Sequence, residues 1–359
     1  AHPGARARDG RPAGQGLAAS PTPWRRGARV MRLLGVELNR FVSRSAVQWL
    51  FVAGAILAAS GALLALGSAT PMPEAERKNA VDSFEQYHAQ WLEESPAMYE
   101  ACLEDEADAQ TSDPGVSFEC EWALEEPRLE DWLWEASFAE VGPDMVLGLV
   151  SGLQGLILLA AVTFVAAEFS TGALGNWLTF EPRRTRVYLS KLGAAVLGLA
   201  PFAAISYAVA LGAVYAPFAY YGTTGDVDAQ AWTDLATLGG RVVLAGALVA
   251  VIATALAFLV RHLAAAIGIA VGWLLVVEQL GSAAYPALQR WTLANNLRAV
   301  VEGGSSYYLD VCGLDPEGRR SCEWTELPIS LTQGSLVLSG FAIVLTVVAL
   351  VVFRRRDVT

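Results

Sequence analysis

Residues 168–191 read EFSTGALGNWLTFEPRRTRVYLSK, a polar, arginine-rich stretch set between two long apolar runs, 145–167 and 192–214. An apolar run of 18 or more residues reads as a membrane span, because about 20 helical residues at a rise of ~1.5 Å cross a hydrocarbon core of ~30 Å. Working outward, four more runs of this kind appear at 46–66, 242–260, 263–285 and 334–353. One such run could be a buried core helix; six in one chain could not. Hydrophobic residues make up 54% of the chain and charged residues 17%, with a mean hydropathy of +0.38. The expected fold class is all-α: a polytopic membrane protein with six transmembrane helices.

The basic residues set the expected orientation, since cytoplasmic loops keep an excess of Lys and Arg near the spans. With the N-terminus inside, the inner segments carry Arg32, Arg40, Arg44, Arg183, Arg184, Arg186, Lys191, Arg261, Arg354, Arg355 and Arg356. Reversal would place two arginine clusters outside, so the expectation is N-in/C-in, with a large first outer loop domain at 68–144. That loop holds 21 Asp+Glu against three Lys+Arg, a net of −18, which exceeds the −11 of the whole chain. The acid is therefore local, and no nucleic-acid surface is visible. Lys78 and Lys191 are the only lysines. With abundant Ala and Gly, this points to a GC-rich bacterial genome and hence to the bacterial plasma membrane.

Residues 1–30 are basic, Pro/Gly-rich and aperiodic. They read as a disordered tail, or as an extension upstream of a natural start at Met31. Residues 31–45 read as an amphipathic helix on the inner surface, with Leu33, Leu34, Leu38 and Phe41 on one face and Arg32, Glu37, Arg40 and Arg44 elsewhere.

Cys102 and Cys120 fall in the first outer loop, and Cys312 and Cys322 in the outer loop at 286–333. Four cysteines confined to the oxidising side predict two disulfides. Three pairings are possible; Cys102–Cys120 and Cys312–Cys322 are preferred because each closes a single loop. There is no CxxC, and His88 is the only histidine in either loop, so no metal site is expected.

The chain has no GxxxxGK[ST], HExxH or GxSxG motif, so it is not expected to be an enzyme, to hydrolyse ATP itself or to hold a cofactor. Glu278 is the one ionisable residue evident within a span. It is either an intramembrane polar contact or a carboxylate reaching the headgroups. The 168–191 segment predicts a short helix over 170–178, with Ala173, Leu174, Trp177 and Leu178 on an apolar face, broken by Pro182 and followed by Arg183, Arg184 and Arg186. Such a helix can be pushed by a soluble partner; the other reading is a charged loop that only sets topology.

Several of these residues fall where the permease subunits of type-2 ABC exporters place theirs. The pattern resembles that family in Glu168 at the inner end of span two, Gly172-Ala173-Leu174, Leu178, Pro182 with Arg183, Arg184 and Arg186, and Lys191 opening span three. The ELxR-like Glu37–Arg40 and the terminal FRRRDV at 353–358 are also similar. The likeness runs from Met31 to the end, although the long acidic cysteine-bearing loop departs from the common form. The resemblance implies two permease subunits, identical or not, in the lipid bilayer with two copies of a separate ABC ATP-binding subunit. It implies coupling to that subunit through Glu168, Gly172, Leu174, Trp177, Leu178, Pro182, Arg183, Arg184 and Arg186. The alternative is a non-transporting membrane assembly or sensor protein whose outer acidic domain binds a partner.

Overall fold

The computed structural model describes residues 23–112, 115–133, 135–314 and 320–356. The expected tail lies outside them up to residue 22, as does the end of the FRRRDV motif. The first helix, α1 (Pro23–Ser43), begins before the expected 31. Arg44, in an extended conformation, turns the chain into α2 (Ser45–Ala59) and α3 (Gly61–Ala69), which together form the first span. The long α4 (Glu74–Gln110) follows, then α5 (Leu129–Trp132). The remaining helices are α6 (Phe138–Ser170), α7 (Ala173–Phe180), α8 (Arg184–Tyr221), α9 (Ala229–Val260), α10 (Leu263–Trp273) continued by a π-helical stretch (Leu274–Gly281) and α11 (Ser282–Ala284), α12 (Leu293–Glu302) and α13 (Leu331–Arg355).

Among the described residues six helices are long and apolar enough to cross a membrane: Ser45–Ala69, Phe138–Ser170, Arg184–Tyr221, Ala229–Val260, Leu263–Ala284 and Leu331–Arg355. The chain is a multi-pass, mainly helical membrane protein. Every span but the fifth outruns its apolar run. The third covers 38 residues rather than 192–214 and the fourth 32 rather than 242–260. A hydrocarbon-length window stops at the first polar residues, but the backbone keeps its i→i−4 bonding until a cap ends it. Caps are present where the sequence supplies them. Ser137 and Glu140 form a capping box on α6, Asp228 Oδ1 accepts from Ala231 N (2.7 Å) on α9, and Ser330 Oγ accepts from Gln333 N (3.2 Å) on α13.

The centre of the bundle is α6, α8 and α9: half of the apolar window of α6 and of α9 is buried, against 11% for the fifth span. α1 lies along α8, and their approach is set by Gly198. A Cβ there would stand 2.5 Å from the Phe41 ring, so only hydrogen fits. α1, α7, the Arg261–His262 turn and the end of α13 share one end of the bundle. Arg184 of α8 bonds the carbonyls of Phe353 (2.9 Å), Arg354 (3.3 Å) and Arg356 there. Cations gather at this end: burial, with the neighbouring Arg356 and Arg184, pulls the Arg261 pKa below its ordinary value.

At the opposite end stand two disulfide-closed units. α4 packs with the 120–132 segment through Cys102–Cys120, with Cys102 on the long helix itself. After α12 comes an antiparallel hairpin, β1 (Gly304–Leu314) and β2 (Arg320–Ser330), in a region read as loop. Cys312 and Cys322 face each other across it and are bonded. Both local pairings therefore hold. Tyr307, Leu309, Leu327 and Ile329 take the inner face of the ribbon against Ala299.

Candidate functional site: a buried charge cluster beneath a surface helix

α7 starts because Gly172 takes a left-handed conformation (φ +69°) after α6 ends. It stops before Pro182, at Glu181, whose carboxylate lies 3.8 Å from Arg186. The short helix thus exists, over Ala173–Phe180 rather than 170–178. Three of the four residues of its expected apolar face are turned into the protein, and Ala173 is exposed. Leu174 is 1% exposed, and Leu178 and Trp177 pack half-buried against the core. The Arg40 guanidinium sits 4.5 Å from the Trp177 ring centroid, a cation–π contact. The large apolar side chain left outside is Phe180, at 84% exposure. Arg183 is exposed, whereas Arg184 and Arg186 are engaged as described.

Beneath α7 lies an arrangement that sequence reasoning missed as a unit. Lys191 of α8 and Glu37 of α1 are fully buried, and Glu168 of α6 is 3% exposed. Lys191 Nζ stands 2.8 Å from Glu37 Oε2 and 2.5 Å from Glu168 Oε2, with the Phe164 ring centroid at 5.0 Å. Arg44 donates to the carbonyls of Thr163 (3.1 Å) and Phe164 and lies 3.9 Å from Glu168 Oε1; Arg40 lies 3.5 Å from Glu37 Oε1. Two carboxylates share one ammonium, and two arginines flank them. Charges buried this deeply persist only when paired and hydrogen-bonded, so α1, α6 and α8 are locked to one another at this point. Glu37 does not sit on the polar face of α1. It falls between Leu34 and Phe41 at helical spacing, on the face that meets α8. That spacing was the available signal, as was a lysine placed about two turns into an apolar helix.

Glu278 is 7% exposed and does make a polar contact within the fold. It accepts from Trp273 Nε1 (2.8 Å), Leu293 N (2.7 Å) and Ala294 N (3.0 Å). Residues five apart on an α-helix point ~140° apart. The wider π turn is what brings the Trp273 indole to the Glu278 carboxylate. At the other end of α12, Arg241 donates to the Glu302 carbonyl (3.0 Å). An anion thus sits at the N-terminus of α12 and a cation at its C-terminus, each on the side the helix dipole favours. Arg241 escaped the sequence reading because it lies just outside the apolar window at 242–260.

Among the described residues no group of three or more His, Cys, Asp or Glu could hold a metal ion. Glu37, Glu168 and Lys191 are closed off from solvent, whereas Arg40 and Arg44 keep part of their surface exposed. The arrangement ties α7 to the helices beneath it. Trp177 of α7 meets Arg40 of α1, and Leu174 packs into the core. No protein-family model matches the chain, and no curated protein matches it in sequence.

Proposed function

We propose that the chain is the membrane-spanning permease subunit of an ATP-driven ABC exporter. In this reading two such subunits work with two separate ATP-binding subunits, both described ends face the cytoplasm, and the acidic 68–144 unit and the hairpin face outward. The observation that carries the reading is the meeting of Glu37, Glu168 and Lys191. These three residues come from separate parts of the chain, all belong to the resemblance to the exporter pattern, and they converge in one cluster under α7. ATP-driven closure of the motor subunits would press on α7 and α1, and the cluster would pass the movement to α6 and α8. The fifth span, little buried within one chain, is the face available to the second permease subunit or to lipid.

The burial pattern changes which residues would touch the motor. Leu174 and Trp177 hold α7 in place, and Phe180, Asn176 and Arg183 are presented to a partner. Co-expression with an ATP-binding subunit encoded beside this gene tests the reading. Phe180→Ala should weaken co-purification while the chain still folds, because truncating an exposed aromatic anchor removes ~2 kcal/mol or more of interface energy. Unchanged co-purification in Phe180→Ala and Arg183→Ala alike would remove α7 as the contact. The alternative, an assembly or sensor role for the acidic unit, predicts no complex with the ATPase at all.

A further inference from the structure

The segment after α4 runs back antiparallel along one face of that helix. Phe118 N donates to Glu106 Oε2 (2.8 Å), Cys120 is bonded to Cys102, Glu126 Oε1 lies 2.9 Å from His88 Nε2, and the Trp132 ring centroid stands 6.1 Å from that of Phe84. Large apolar side chains remain outside on both flanks of this face. Leu92 and Leu103 lie eleven residues apart, three helical turns, and so share one flank. Tyr87 and Met98, also eleven apart, share the other, about 140° round the helix. All four are exposed, as is Trp122 on the returning segment. The Tyr87 flank is partly taken, since the Trp132 ring stands 5.5 Å from it; Leu92 is the most exposed of the four, at 58%. Carboxylates are interleaved with the leucines: Glu85 stands two turns before Leu92, and Glu100 one turn before Leu103. Both are exposed. Among the described residues the ion pairs of this unit are His88–Glu126 and Arg128 with Glu130 and Asp131, so neither Glu85 nor Glu100 is in one. Exposed apolar surface rimmed by charge marks an interaction site.

We propose that the Leu92–Leu103 flank of α4 docks a cationic amphipathic peptide. The peptide lies as a helix about 18 residues long, because the row from Glu85 to Leu103 runs ~27 Å at the helical rise. Its apolar face covers Leu92 and Leu103, and its Lys or Arg side chains reach Glu85 and Glu100. Charge selects this occupant over the others. With 21 Asp+Glu against three Lys+Arg in 68–144, a second copy brings the same sign and is repelled, whereas a polycation is drawn in. Hydrocarbon does not cover the row, since it carries carboxylates and α4 is not among the helices apolar enough to cross a membrane. The binding stands on this unit alone and goes beyond the transporter reading.

The test is fluorescence anisotropy of labelled peptides with the full chain in phosphatidylcholine nanodiscs, empty nanodiscs serving as the reference. The probes are an amphipathic Leu/Lys helix about 18 residues long, a scrambled peptide of the same composition, and the Leu/Glu counterpart. Saturable binding of the Leu/Lys helix above the reference is expected. The scrambled peptide should bind at least about tenfold more weakly, because it cannot present one apolar face, and the Leu/Glu peptide should not saturate. L92S/L103S should weaken the Leu/Lys helix at least about tenfold. E85Q/E100Q should weaken it about fivefold, as two exposed ion pairs warrant, and flatten its dependence on salt. An unfolded unit would lose the residual apolar affinity as well, and protease resistance of 74–132 equal to wild type checks the fold of both variants. Binding that only matches empty nanodiscs makes lipid the binder and overturns the proposal. Equal binding of the Leu/Glu peptide, or an affinity indifferent to both variants, overturns it as well. So does a chain that binds no peptide but pairs with itself, with a copy number that falls in L92S/L103S; the flank is then a contact between copies.

Discussion

Lys191→Met isolates the central energetic feature. The ammonium it removes lies 2.8 Å from Glu37 Oε2 and 2.5 Å from Glu168 Oε2, in a pocket where the first two side chains are fully buried. Arg40 and Arg44 stay at 3.5 Å and 3.9 Å, on the outer sides of the two carboxylates. Neither can occupy the space between Glu37 and Glu168, so two like charges are left facing each other in a poorly solvated gap. Removing one partner of a buried pair costs about 3–5 kcal/mol. At ~2 °C per kcal/mol for a chain of this size, the melting temperature in detergent should fall by roughly 6–10 °C. The triple variant E37Q/E168Q/K191M removes the charges along with their partner, and replacing a whole buried ionic group is often nearly neutral. It should therefore recover most of the loss. Fluorescence-detected thermal unfolding of the three proteins at one scan rate provides the assay, since membrane proteins often unfold irreversibly. A single variant within 1 °C of wild type, or a triple variant no more stable than the single, would refute the claim that this cluster holds the helices together.

Three further outcomes follow from the same structure. Cys102→Ser/Cys120→Ser opens a loop of sequence separation 18 and should destabilise the α4 unit by about 3 kcal/mol, read as faster proteolysis of 74–132 with the spans intact; equal protease resistance would contradict it. Glu278→Gln keeps an acceptor for Trp273 but weakens the anionic cap on α12, whereas Glu278→Ala removes both. Hydrogen exchange at Leu293 and Ala294 should rise modestly in the first and strongly in the second, and the reverse order would be fatal to the capping role. A single cysteine placed at exposed position 183 should resist an impermeant maleimide in intact cells while one at 104 reacts; strong labelling at 183 would invert the proposed orientation.

Much of this architecture was legible in the sequence. Six apolar runs give six spans because hydrocarbon thickness imposes a length that polar segments rarely reach by chance. The local disulfides were also readable, since each closes its own unit. The hairpin leaves a signal in the sequence: Tyr307 and Leu309 alternate at period two, as do Leu327 and Ile329. The site was legible only in pieces. Glu168 and Lys191 were visible as members of a pattern, and Glu37 and Arg40 as charges on an amphipathic helix. Their convergence depends on how α1 docks on α8 at Gly198, a tertiary fact that no local window contains. The same holds for α7: an apolar face at helical spacing is expected to meet something, but spacing does not say whether that is the core or a partner. Here Leu174 went to the core and Phe180 stayed outside.

The most direct test of the transporter reading is native mass spectrometry of the chain co-expressed with its neighbouring ATP-binding subunit and purified through a tag on the permease. A single dominant assembly of two permease subunits and two ATP-binding subunits is expected, lost on Phe180→Ala and retained on a distant outer substitution such as Glu104→Gln. A chain that purifies without the ATPase, or an assembly held through the acidic 68–144 unit and indifferent to Phe180→Ala, would contradict it.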